Sequence, residues 1–172
     1  MGHFFTIIHH VEPYIAAYGA AAVFLLVYFE SFGVPLPGES GVVASALLAA
    51  HGDFSIVTVF LAVFSAAVLG DSTGYVIGRV GGHKLLRRLG PRIKLTPERL
   101  DHFEKQFAAR GASLVVVARF VPLLRQLNGL IAGAFEMPWH VFAIAQAIGA
   151  LLWTALWTLG PYFFGEAFRA LG

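Results

Sequence analysis

Phe32-Gly33-Val34-Pro35-Leu36-Pro37-Gly38-Glu39 and Ala118-Arg119-Phe120-Val121-Pro122-Leu123-Leu124-Arg125 place charges inside apolar, proline-interrupted sequence. Each has Val-Pro-Leu at its centre, and each is followed by small residues and a long apolar run. Proline removes a backbone donor and breaks a helix. Inside a membrane, broken backbone persists only where protein encloses it or where it lines a cavity. A pair of broken hydrophobic segments in corresponding halves of a chain points to a transporter's binding site. The expected fold class is therefore all-α integral membrane: spanning helices plus two oppositely oriented re-entrant helical hairpins, an inverted repeat. Val59-Phe60 and Val141-Phe142, in the runs after the two breaks, extend the correspondence between the halves.

Composition places these segments in a bilayer. Of 172 residues, 58% are hydrophobic and 13% charged, whereas soluble domains carry about 25% charged residues. Mean hydropathy is +0.73. Cysteine is absent, which excludes disulfides, thiolate metal sites and thiol nucleophiles. Met1 to Pro13 holds three histidines but no Lys or Arg, so it lacks the positive region of a cleavable signal peptide. Eight of the twelve Lys and Arg lie from Lys84 to Arg110, and the positive-inside rule puts that loop in the cytoplasm. A cytoplasmic loop accounts for the basic cluster, so no nucleic-acid partner is expected.

One membrane domain, residues 1–172, is expected. Its parts are an N-terminal segment and first span (1–31), a hairpin and span (32–79), a basic loop with an amphipathic helix (80–111), and a second hairpin and span (112–165). Five apolar stretches carry this reading: Tyr14–Phe29, Val34–Ala50, Ser55–Arg79, Ala112–Phe135 and Trp139–Gly160. The hairpin Val34–Asp53 would enter from outside and Ala112–Phe135 from inside. Pro37-Gly38 and Asn128-Gly129 read as a second break in each. Gly160-Pro161 reads as the end of the last span, with Tyr162-Phe163-Phe164 as an interfacial belt. Gly81-Gly82 and Gly90-Pro91 are turn signals. Thr96 as N-cap and Pro97 at the first helical position open a helix whose Leu100, Phe103 and Phe107 would lie on the membrane surface.

Six ionisable residues lie in or at the ends of apolar stretches: Glu30, Glu39, Asp71, Arg79, Arg119 and Arg125. A charge at a helix centre costs about 2.5–3.5 kcal/mol on insertion scales, so such groups face a cavity and pair with one another. Arg119 and Arg125 are six residues apart, about 240° around an unbroken helix. Pro122 lies midway and would let both turn to one cavity. The guanidinium fork suits phosphate oxygens, so Arg119 and Arg125 are the candidate phosphate-binding pair. Glu30, Glu39 and Asp71 are candidates for charge balance and proton coupling. Gly70, Gly74 and Gly78 form a small-residue stripe for close helix packing within one chain or between two. Arg79, Tyr75, Pro35, Pro37, Pro122 and Asn128 are read as supporting residues. No His-Glu-x-x-His, Gly-x-Ser-x-Gly or P-loop occurs. The histidines sit at expected interfaces, so no metal, cofactor or enzymatic activity is expected.

Together these motifs resemble the DedA family of bacterial membrane proteins, also called the SNARE-associated or VTT-domain family. The resemblance covers about Glu30–Trp153. It rests on Glu30 with Pro35-Leu36-Pro37-Gly38-Glu39, on Gly70-Asp71 with Tyr75-Val76-Ile77-Gly78-Arg79, on Arg119 through Arg125, and on Gly133 and Gly149-x-x-x-Trp153. It implies a helical fold with two opposed hairpins and a part in moving lipids, including undecaprenyl phosphate, across the bacterial inner membrane. It equates the family's membrane acids with Glu30 and Glu39, and its paired arginines with Arg119 and Arg125. Where many members carry Asp in the Pro-Gly-Asp motif, this chain has Glu39. The expected function is a multi-pass lipid transporter or flippase for a polyprenyl phosphate, coupled to protons and able to form a homo-oligomer. A phospholipid transporter or scramblase, and a proton-coupled ion or drug exporter, are the alternatives.

Overall fold

A computed structural model describes residues 18–52, 54–89 and 96–171. Expectations for Met1 to Pro13, the start of the first span, Asp53 and Gly90-Pro91 lie outside the described residues, as do the side chains of Leu100 and Phe103. All described elements are helical: α1 (Tyr18–Ser31), α2 (Gly38–His51), α3 (Ile56–Leu89), α4 (Pro97–Ala118), α5 (Pro122–Ala134), α6 (Trp139–Thr154) and α7 (Gly160–Leu171). A five-residue π turn, Ala155–Leu159, joins α6 to α7. Among the described residues two apolar stretches are long enough to cross a membrane, Ile56–Gly82 with 27 residues and Trp139–Ala167 with 29. Their outward faces carry exposed Val57, Leu61, Val76, Ile144, Leu152 and Leu156. A ladder of exposed aliphatic side chains suits lipid contact.

The two proline segments are where helices stop. Gly33, at φ 104°, ends α1: its N–H bonds the Glu30 carbonyl at 3.1 Å, and the Val34 N–H bonds the Phe29 carbonyl at 3.2 Å. This closure needs a left-handed residue, and Pro35 prevents any continuation. At the second segment α4 stops at Ala118, residues 119–121 form the turn, and Pro122 occupies the first position of α5. Pro122 therefore starts a helix, where its missing N–H is harmless.

The expected bounds of the first hairpin shift, because α2 is one unbroken helix that folds back on α1. The described part of the stretch expected as a first span forms the first arm, and α2, inside the expected Val34–Asp53, forms the second. Helices α4 and α5 fold back likewise. Gly38 of α2 lies against Glu30 of α1, and Gly41 against Leu26 and Val23. Rising numbers on one helix meet falling numbers on the other. In the same sense Asn128 of α5 bonds the Val115 carbonyl of α4, and Phe107 packs on Phe135, ring centroids 5.5 Å apart.

The most extensive helix contact is between α3 and α5, and glycines create it. A Cβ at Gly129 would collide with the Asp71 carbonyl, one at Gly133 with the Tyr75 carbonyl, and one at Gly78 with the Leu130 carbonyl. Gly70 similarly admits the Tyr28 carbonyl of α1. The stripe Gly70, Gly74 and Gly78 is thus filled from within one chain. Buried Val23, Val27, Val42, Val59, Val63, Ala66, Ala67, Ala150 and Trp153 form the core joining α1, α2, α3 and α6.

Three further expectations are corrected. Asn128-Gly129 is no second break: α5 runs through it, because the missing Cβ serves close approach to α3 rather than chain reversal. Pro37-Gly38 likewise belongs to the single break before α2. Gly160-Pro161 does not end the last helix, which continues to Leu171. The preceding π turn widens the backbone where proline would clash with the carbonyl four residues earlier. The amphipathic helix and the first arm of the second hairpin also form one element, α4, bent at Arg110 (φ −143°, ψ 29°).

Candidate functional site

The broken ends bring the membrane charges together. Glu30 is in the last turn of α1, Glu39 in the first turn of α2, and Arg125 in the first turn of α5. Arg125 Nη1 donates to Glu39 Oε1 and Nη2 to Glu30 Oε1, each at 2.8 Å. The Arg125 side chain is 4% exposed, Glu30 7% and Glu39 36%. Arg119, in the turn between α4 and α5, is ion-paired with Asp71 of α3, and both are buried. Five of the six expected charges therefore form two clusters, Arg125 with Glu30 and Glu39, and Arg119 with Asp71 of α3. Arg79 is exposed and belongs to neither.

Residues of the sequence reading that support the site do so at different removes. Pro35 and Pro37 lie in the break before α2, and Pro122 opens α5. Asn128 Nδ2 donates to the Val115 carbonyl at 2.9 Å, tying α5 to α4 behind Arg119 and Arg125. Tyr75 stands apart: its hydroxyl donates to the Met137 carbonyl, and its ring stacks on Phe142 at 4.7 Å. It anchors the start of α6 to α3.

Two further partners join the site: Trp153, which the sequence marks only as a motif residue with no role at the arginine, and Gln146, which it does not single out. Trp153 lies 4.6 Å from the Arg125 guanidinium, face to cation, a contact that desolvation strengthens. An aromatic inside an apolar run gives no sign of this role. Gln146 Nε2 donates to Ser72 Oγ at 3.2 Å, joining α6 to α3 one residue from Asp71. A glutamine within an apolar span was the available signal.

Chemically, three carboxylates face two guanidiniums, so the constellation can hold an anion where a carboxylate is displaced or protonated. Arg119 Nε has no hydrogen-bond partner among the described residues, and α2 and α5 begin beside Arg125 with the amide ends that favour negative charge. An apolar pocket of about 70 Å³ lies between α4 and α5, lined by Phe107, Leu114, Val117, Leu124, Asn128 and Ile131. No group of three His, Asp or Glu among the described residues is placed to hold a metal ion.

Comparison with known proteins gives a consistent family. Residues 36–163 match the VTT domain. An uncharacterized membrane protein of Synechocystis is 38% identical over 166 residues, which is 96% of this chain and 76% of that protein. Protein DedA of Escherichia coli is 33% identical over 164 residues, 91% of this chain and 74% of that protein. An alkaline phosphatase-like protein of Lactococcus lactis is 29% identical over 141 residues, 79% of this chain and 66% of that protein. No solved structure matches the chain.

Proposed function

The chain belongs to the VTT-domain (DedA) family of membrane proteins, and from that premise we propose that it carries a lipid phosphate, undecaprenyl phosphate first, across the bacterial inner membrane. The observation that carries this reading is the Arg125 fork, buried among apolar helices where two hairpin tips meet. A planar guanidinium matches phosphate oxygens in pairs. Only the head group has to enter this polar site; the isoprenoid tail stays in lipid.

Two re-entrant hairpins from opposite membrane faces fit the contacts along α3. Gly19 of α1 lies against Phe54, just before α3, while Ala134 at the far end of α5 lies against Gly78. Between those ends Gly74 touches both Phe32 and Gly129. Opposed hairpins around a midplane site are the architecture of alternating access. Glu30, Glu39 and Asp71 outnumber the two arginines, so an anion entering this low-dielectric site would draw protons onto the acids, which is the proposed coupling.

The protein is a transporter and does no covalent chemistry in this reading. The name of the Lactococcus relative raises a phosphatase alternative, but the hydrogen bonds described for Arg119 and Arg125 run to carboxylates and to no hydroxyl or imidazole nucleophile. In proteoliposomes, labelled polyprenyl phosphate should change leaflet with wild type and more than tenfold more slowly with Arg119→Ala or Arg125→Ala, a loss of at least about 1.4 kcal/mol in transition-state binding. Equal rates for all three would remove the arginines from the site. Inorganic phosphate released from a lipid pyrophosphate would favour the phosphatase.

A further inference from the structure

The access routes to Arg125 lead beyond the general reading, on which this inference rests. One edge of the guanidinium is occupied by Glu30, whose side chain is 7% exposed. The other carboxylate oxygen of Glu30 presses on Gly38, where any Cβ would collide with it. Trp153 covers a face at 4.6 Å. Nη1 is held by Glu39, which is 36% exposed and joined by a single 2.8 Å bond.

Charge sharpens the geometry. One guanidinium faces two carboxylates, so this cluster already carries surplus negative charge when all three groups are ionised. A phosphate added to it would meet repulsion in a site of low dielectric. A phosphate monoester, itself about −1.5 to −2 at neutral pH, adds far less surplus when it replaces one carboxylate than when it joins both. Of the two acids only Glu39 is partly exposed. We propose that Glu39 is a tethered stand-in for the head group: its carboxylate occupies the phosphate position on Arg125 Nη1, and a phosphate monoester binds by displacing it. Glu39 is then the gate of the site and sets its selectivity for anions able to outcompete a carboxylate, while Glu30 and Trp153 hold the arginine in place.

The full chain in detergent can be titrated by calorimetry with farnesyl phosphate, using farnesol as the uncharged control. Removing an internal competitor that holds the site most of the time should tighten binding about tenfold or more. Glu39→Gln should do so, and by more than Glu30→Gln, which relieves charge but leaves Nη1 occupied. A second measurement covers poor folding of Glu39→Gln. In Glu39→Ala, added acetate should refill Nη1 and weaken farnesyl phosphate binding, and in wild type acetate should have no such effect. Wild-type binding that Glu39→Gln leaves equal or weaker, with Glu39→Ala indifferent to acetate, overturns the gate and leaves the lipid-phosphate reading standing. Farnesol binding as tightly as farnesyl phosphate, or no saturable binding by wild type and Glu39→Gln alike, overturns both.

Discussion

Arg119 and Asp71 are 1% and 0% exposed and paired with each other, so removing one strands the other's charge. Breaking a buried pair typically costs about 3–5 kcal/mol, while replacing both members by apolar residues is far milder. Asp71→Ala should therefore destabilise the folded chain strongly. Asp71→Leu with Arg119→Met should recover most of that loss in thermal unfolding in detergent. If the double variant is as unstable as the summed single variants, the pair is not coupled. The six charges were legible because ionisable residues stand out in apolar sequence, but their pairing was not. Which acid meets which arginine depends on how the hairpins close, and Arg79 was grouped with them although it faces outward.

At the scale of the helix, glycine was legible in α3 and misread in α5. Gly70, Gly74 and Gly78 repeat every fourth residue and announce a packing stripe. Gly129 and Gly133 have the same spacing, but Asn128 before Gly129 mimics a turn signal. Space around the missing Cβ separates the two roles. At Gly129 and Gly133 that space is backbone of α3, which cannot move aside, whereas nothing lies within 4 Å at Gly160. Gly129→Ala and Gly133→Ala should each lower stability by about 1–3 kcal/mol through overpacking. Gly160→Ala should instead raise it by about 0.5–1 kcal/mol through helix propensity. Thermal unfolding of the three variants in one detergent checks the contrast. Equal effects at all three positions would mean that α3 and α5 do not rely on backbone contact.

For the molecule as a whole, the proposed disposition turns on which membrane face each hairpin base occupies. Pro35, Pro37 and Pro122 gave away the breaks, although Pro161 lies within a helical run that continues past it. The direction in which each hairpin points was an assumption about the repeat, because sequence does not say which glycine meets which helix. The contacts supply a concrete arrangement. His51 ends α2 close in sequence to the start of α3, while Trp139 beside His140 packs on Tyr75, 5.1 Å between rings, toward the far end of α3. Helix α7 returns to the first end, with Gly165 against Ala50. The basic run from Lys84 to Arg110 follows the far end, so in the proposed disposition the positive-inside rule assigns that end to the cytoplasm. Because the chain has no cysteine, His51→Cys and His140→Cys each create a single thiol at an exposed position. In intact cells a membrane-impermeant maleimide should label His51→Cys from outside and leave His140→Cys untouched until the membrane is opened. Labelling of both from one side would place both hairpin bases on the same face. That would remove the opposed architecture on which alternating access depends.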